Sequence, residues 1–501
     1  MVSHRITVVL LAPIIGLSVG VFAEGATGPA GSEGDRESEI RADYVSGPSW
    51  AEVPLWSRDE VIVKFLPDVP LETARELVEK HRCHVLRSCA PGDFHLVRIP
   101  PGETPEHMVQ RFSQCDIVEY AECNYHVVAS LVPNDSYFDF QWNLDNPVTG
   151  GMRMEAAWDI QRADPNVIVA VLDTGVAYED FGVYRRAPDF NDALFVPGYD
   201  FVNDDDHPND DEGHGTHVAG TIAQSTDNGL GVAGVAFGCS LMPVKVLDEE
   251  GLGEHFTIAE GILFAAENGA QVINMSFGSP SRSRTLENAA AAAYHRGVTI
   301  VCAAGNDFFS GNQPNYPASY DAYCIAVGAV RYDLSRAPYS NTGSHLDVVA
   351  PGGDLDVDQN GDGFGDGILQ QTFVGDPNEF AYWFFQGTSM ASPHVAGLAA
   401  LLVSRGVTDP DQVREAIEMT ARDLGSPGKD REYGWGFIDA EAALAYYIVG
   451  DFNQDNTVDT HDLSFFTSQW LLSEVGLAAD LNADWLVDFQ DFGRMARDWR
   501  R

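Results

Sequence analysis

VIVAVLDTG, residues 167–175, is an apolar run that ends in Asp-Thr-Gly. A short, wholly apolar stretch closed by turn residues describes a strand buried on both faces, and it delivers one carboxylate, Asp173, to the rim of the sheet. An acid at that rim can orient an imidazole. Similar runs recur at 244–247, 272–275, 299–303 and 325–330, and helical patterns alternate with them from about residue 134 to 447. This alternation predicts an α/β unit, a parallel sheet with helices on both faces, whose ligands gather at the carboxyl ends of the strands.

Outward from this unit the pattern changes. His4 and Arg5 precede an apolar run at 6–22 and the small residues that end at Ala23, so residues 1–23 read as a signal peptide cleaved after Ala23. The run is short and no second span of about 20 apolar residues follows. Export without a transmembrane anchor is therefore expected. Residues 24–57 are rich in Gly, Ser, Pro and acids without periodicity, the composition of a disordered spacer. Residues 58–130 read as strand, helix, two strands, helix and strand, a small α+β unit of ferredoxin-like order. From about residue 449 two acidic loops each precede a short helical pattern.

The chain has 501 residues, 45% of them hydrophobic, enough for several domains and at least one large core. Its formal net charge of −45 argues against nucleic acid, whose phosphates require a basic face, and makes cations the expected partners. The cysteines number seven, an odd count. Cys302 and Cys324 fall in two runs that could be neighbouring strands, where a disulfide and a pair of buried thiols are both open.

Two further motifs carry chemistry. GHGTHVAGTIA (213–223) sets His214 at a Gly-flanked turn opening a tightly packed helix. No Cys or third His stands near at zinc-ligand spacing, so His214 reads as a general base and His217 as a packed helix residue. GTSMASPHVAG (387–397) starts a helix at Ser389, beside free backbone amides and partial positive charge, with Pro393 expected in the tolerated first turn.

Taken in chain order with AAGN (303–306), these motifs resemble those of the subtilisin-like serine proteases over about residues 134–447. The resemblance implies a serine endopeptidase in which Ser389 is the nucleophile, His214 its base and Asp173 the residue that holds the imidazolium. It implies that the Asn306 amide and the Ser389 N–H form the oxyanion hole. VINMSFGS (272–279) resembles the substrate-binding segment, whose backbone at Ser276, Phe277 and Gly278 pairs with an extended peptide. Gly305, with Ala303 and Ala304, would line a roomy apolar slot for the residue before the cut. The 58–130 unit, ending VEYAECNY, resembles the pro-segment of these proteases, a folding aid and product-like inhibitor removed near residues 125–133.

Several acids suggest calcium, which takes six to eight hard oxygens. NDSYF, PDF and NGLGV resemble one family site through Asp135, Asp189 and Asn228, and DFVNDDDHPND another through Asp200, Asp205 and Asn209. By spacing alone, Asp358, Asn360, Asp362 and Asp366 occupy positions 1, 3, 5 and 9 of a calcium loop with Gly363 at position 6; Leu369 stands at position 12. Asp451, Asn453, Asp455, Asp459 and Asp462 occupy positions 1, 3, 5, 9 and 12 of another, repeated 29 residues later by Asp480, Asn482, Asp484, Asp488 and Asp491. This pair resembles type I dockerin, whose partner is a cohesin domain; docking and plain stabilisation or surface attachment are equally open.

The expected architecture is signal (1–23), spacer (24–57), pro-segment (58–130), peptidase (131–448) and a small α calcium-loop module (449–501). The expected product is a secreted or extracellular enzyme, with structural calcium, no organic cofactor, protein or peptide substrates and its own pro-segment as inhibitor. A catalytically silent binding protein of the cell surface would instead show a decayed triad or no oxyanion donor.

Overall fold

The computed structural model describes residues 56–67, 69–89, 94–125, 131–144 and 150–446, and beyond them 458, 460–472, 479, 487, 492 and 495. The expected signal peptide and nearly all of the spacer lie outside the described residues. Two compact units are distinguished, one of residues 39–130 and one that holds 131–501.

In the smaller unit the elements run β1 (Trp56–Phe65), α1 (Leu71–Lys80), β2 (His84–Cys89), β3 (Phe94–Arg98), α2 (Pro105–Ser113) and β4 (Val118–Tyr125). The strands form an antiparallel sheet in the order β2-β3-β1-β4. Alternation along β1 turns Val61, Val63 and Phe65 inward, where they meet Ala74 and Val78 of α1 and Met108 and Phe112 of α2. Thr104 caps α2 by accepting the His107 N–H, and Pro105 takes the first helical position, where no donor is lost.

The larger unit is built on a sheet whose paired strands are parallel, ordered β12-β11-β10-β9-β5-β8-β6 with β7 beside β8. Its elements are α3 (Met154–Ile160), β5 (Ile168–Asp173), β6 (Leu194–Phe195), β7 (Tyr199–Asp200), α4 (His214–Ala223), β8 (Ser240–Lys245), α5 (His255–Glu267), β9 (Val272–Met275), α6 (Arg284–Tyr294), β10 (Thr299–Ala303), β11 (Cys324–Val330) and β12 (Val348–Pro351). An antiparallel hairpin, β13 (Ile368–Thr372) and β14 (Ala381–Phe385), then leads into α7 (Thr388–Arg405), α8 (Pro410–Thr420) and α9 (Ala440–Tyr446). Along β5, Val169 and Val171 join the core beneath α4 and α7, whereas Ala170 and Leu172 join the core beneath α5 and α6. Both faces are thus covered. The strand order reverses about β5, which places the carboxyl ends of β5 and β9 at the crevice where such sheets bind ligands.

The strand expected at 244–247 instead spans Ser240–Lys245, because its pairing with β5 begins at Ser240 and runs to Lys245 opposite Asp173. Cys302 and Cys324 do lie on neighbouring strands, as buried free thiols; Cys302 pairs with Ala326, and Cys324 with Ile300. Helix α10 (Thr460–Ser468) contributes Phe466 to a small separate core with Val458, Ala479, Val487 and Met495. Val487 and Met495 stand 29 residues after Val458 and Phe466, so equivalent positions of the two repeats meet. Among the described residues no helix is long and apolar enough to cross a membrane.

Candidate active site

Asp173 ends β5 fully buried, and its Oδ1 accepts the Thr174 N–H at 2.8 Å and lies 2.7 Å from His214 Nδ1. A carboxylate there sets Nδ1 as the donor and leaves Nε2 to accept a proton. The approach depends on Gly215: a Cβ there would lie 2.1 Å from the Gly175 carbonyl oxygen and 3.1 Å from Asp173 Cβ, so α4 starts this close to β5 only with glycine. Burial works to keep the imidazole neutral, but the charge and hydrogen bond of Asp173, joined by Glu212 and Asp210, push His214 up to about 9. Glu212 also accepts the His214 backbone N–H at 2.8 Å.

Ser389 lies in the first turn of α7, where backbone N–H groups have no partner within the helix. Pro393 falls past the first turn, not in it as the spacing suggested. Its missing N–H is the one that would bond the Ser389 carbonyl four residues back. That carbonyl instead accepts the Ser276 hydroxyl at 2.8 Å, while Ser389 Oγ donates to the Ser276 carbonyl at 2.7 Å. The pair joins the end of β9 to α7. Ser276 Oγ in turn accepts Asn274 Nδ2 at 3.0 Å, and Asn274 Oδ1 accepts Ser392 Oγ at 2.7 Å.

Asn306 follows β10. Its Oδ1 accepts both the N–H and the hydroxyl of Thr388, each at 2.9 Å, which leaves Nδ2 to face elsewhere. A Cβ built on Gly387 would lie 3.4 Å from Asn306 Nδ2 and 3.6 Å from the Ser389 nitrogen. Two N–H donors therefore bound one space that Gly387, at φ +148°, keeps clear.

Ser276 is buried, whereas beyond β9 Phe277 is partly exposed and Gly278 exposed, and Ser279 pairs antiparallel with Tyr316. The side of Gly305 to which a Cβ would point is filled by polar side chains. Ala303 and Ala304 are buried, Ala304 in the main core, and a Cβ on Gly305 would meet Asn341 Nδ2 at 2.5 Å and Asn315 at 3.2 Å. His217 is buried, stacked on Phe385 with Nε2 3.0 Å from the Ile368 carbonyl, and burial pushes it down to about 3.

Residues 164–436 match the Subtilase family of peptidases, and residues 56–124 match the Fervidolysin N-terminal prodomain. Over 432 residues, 85% of this chain and 96% of the other, the sequence is 36% identical to a thermophilic serine proteinase of Bacillus sp. strain AK1. The chain belongs to the subtilase family. This subtilase is also 42% identical to subtilisin DY of Bacillus licheniformis over 281 residues, 56% of its own length and 90% of the relative's. Fervidolysin from Fervidobacterium pennivorans, a keratinolytic enzyme related to subtilisin, has the same fold at a TM-score of 0.50 and 26% identity, across 78% of this chain and 61% of its own. The subtilase is accordingly a subtilisin-type serine endopeptidase with a prodomain.

The expected calcium ligands of the subtilase fall into unequal groups. Among the described residues no three His, Cys, Asp or Glu side chains form a ready metal cage, so a cation would also draw on amide and carbonyl oxygens. Asp135, Asp189 and Asn228 do come together: Asn228 Nδ2 donates to Asp189 at 3.0 Å, and Asp135 Oδ2 accepts the Asp227 N–H at 2.8 Å. Burial above all, with the nearby Asp135 charge, pushes Asp189 up to about 7, a setting that a divalent cation suits. Asp200 and Asp205 face each other across a backbone bridge, and the buried Asn209 Oδ1 has no hydrogen-bond partner. In the 358–366 loop Asp358 accepts the N–H groups of Gly361 and Gly363, Asn360 Oδ1 that of Asp362, and Asp362 Oδ1 that of Phe364. Asp366 is buried there with Oδ1 unpartnered. Asp462 is buried, while Asp451, Asn453, Asp455, Asp459, Asp480, Asn482, Asp484, Asp488 and Asp491 lie outside the described residues.

Sequence reading passed over the hydroxyl of Ser276, the two bonds from Thr388 and the charge of Glu212. Glu212 stands two residues before His214, and this adjacency was the one available signal.

Proposed function

We propose that this subtilase cleaves peptide bonds through an acyl-enzyme formed on Ser389. For attack, Ser389 Oγ turns from the Ser276 carbonyl toward His214, which takes its proton and later gives it to the leaving amine, while Asp173 holds the imidazole in register. Oxygen charge that develops on the tetrahedral carbon is met by Asn306 Nδ2 and the Ser389 N–H. The extended substrate adds as a strand along the backbone at Ser276, Phe277 and Gly278, beside Gly305. One observation carries the reading: both donors border a single space cleared by Gly387 at the start of the Ser389 helix.

The same proposal makes residues 1–23 an export signal and the 56–124 unit an inhibitor that the enzyme removes from itself. Calcium, when bound by the Asp135, Asp189 and Asn228 group, by Asp200, Asp205 and Asn209, or by the 358–366 and C-terminal loops, supplies compensation for clustered acids and takes no part in bond cleavage. The C-terminal pair of loops serves attachment or stability. Ser389→Ala decides the chemistry: casein hydrolysis and pro-segment removal should both be lost, and retention of either refutes the assignment.

A further inference from the structure

We propose that Asp210 is a positioning residue that locks Asp173 and His214 into mutual register. The inference rests on the proposed roles of those two residues. Asp210 is buried, and all its bonds go to the two segments that carry them. Its Oδ1 accepts Thr174 Oγ1 at 2.9 Å and the N–H groups of Glu212 and Gly213 at 3.0 and 2.9 Å. Its Oδ2 accepts the Thr216 N–H at 2.9 Å and the Thr216 hydroxyl at 2.6 Å. The chain of bonds closes on itself, because Thr174 Oγ1 also accepts the Gly215 N–H at 2.9 Å. The residue after Asp173 is thereby bound to the residue after His214, and one carboxylate holds Thr174 together with Gly213 and Thr216, which flank His214 and Gly215.

Lys245 secures the same junction from below. Its buried Nζ donates to the Thr174 carbonyl at 2.6 Å, to Asp211 Oδ1 at 2.7 Å and to the Leu247 carbonyl at 2.8 Å. An ordinary helix cap would satisfy only amides of its own helix. Asp210 also reaches across to Thr174, at the end of β5, and that bond serves the register of the two side chains more than the helix.

The test compares full-length Asp210→Asn, Thr174→Val and Thr174→Ser on a peptide p-nitroanilide, with Ser389→Ala as reference. A displacement of even one ångström can cost about a hundredfold, so Asp210→Asn and Thr174→Val should each lower kcat by roughly ten- to a hundredfold with KM within about twofold. Thr174→Ser, which keeps the hydroxyl, should recover kcat to within about threefold. The double variant should be no slower than the slower single, since both break one link. Wild-type kcat in Thr174→Val, or a loss in it that Thr174→Ser does not recover, overturns the inference, and this pair decides even if Asp210→Asn fails to fold. Activity retained by Ser389→Ala would instead overturn the underlying triad assignment.

Discussion

In the proposed mechanism Asn306 and Glu212 act on opposite charges of the same reaction. Asn306 Nδ2 is held by the two Thr388 bonds to its oxygen, so Asn306→Ala should lower kcat about a hundred- to a thousandfold with little change in KM. Steady-state kinetics on a short peptide checks it. Glu212 supplies part of the negative field that pushes His214 up to about 9. A general base works when neutral, so kcat/KM of the free enzyme should rise through the alkaline range toward that value. Removing the charge with Glu212→Gln lowers the His214 pKa and should move this rising limb to lower pH, by about one unit or less. A limb that stays in place or moves up would show that Glu212 does not act on the imidazole. Asp173, His214, Ser389 and Asn306 could be named as candidates because each sits in an uninterrupted local motif that resembles the family's. Asp210 and the Ser276 hydroxyl could not, because the partners that give them a part in the site, Thr174 and Ser389, are remote in the chain and a short polar side chain has many bland uses.

Pro393 shows how an element can serve a site by a missing bond. It leaves the Ser389 carbonyl to the Ser276 hydroxyl. Pro393→Ala should return a backbone bond to α7 and remove a helix-interior cost of up to about 3 kcal/mol, so the melting temperature should hold or rise. At the same time the competing N–H should draw the Ser389 carbonyl from Ser276 and lower kcat several-fold; a variant as fast as the parent would show the latch to be idle. The apolar strands β9, β10 and β11 were readable from composition. The hairpin β13–β14 was not, since its first strand reads ILQQT with Gln370 and Gln371 both buried. Their amides find bonds only in the assembled sheet and core: Gln371 Oε1 accepts the Asp189 N–H and Gln370 Nε2 reaches the Ala233 carbonyl. The bounds of β8 were misread for a related reason, since they are set by its pairing with β5, which begins at Ser240 and ends at Lys245.

For the whole chain, a cation that binds only the folded state stabilises it by about 2.7 kcal/mol at a hundred times its Kd. Chelation of the proposed calcium sites should therefore lower the melting temperature by roughly 5–10 °C, and Asp189→Ala should remove part of that dependence; a melting curve indifferent to chelator would refute these sites. Periodic burial made the layered α/β plan and the βαββαβ unit readable in one dimension, since alternation and apolar runs report which faces meet water. The candidate triad of Asp173, His214 and Ser389 was readable from another source, the resemblance of its three motifs to those of the subtilisin-like proteases. Which donors face the cleared space at Gly387, and which carboxylate ties Asp173 to His214, emerged only on folding. Hydrogen bonds between segments far apart in the chain depend on distances of about 3 Å, and no local pattern of residues encodes such distances.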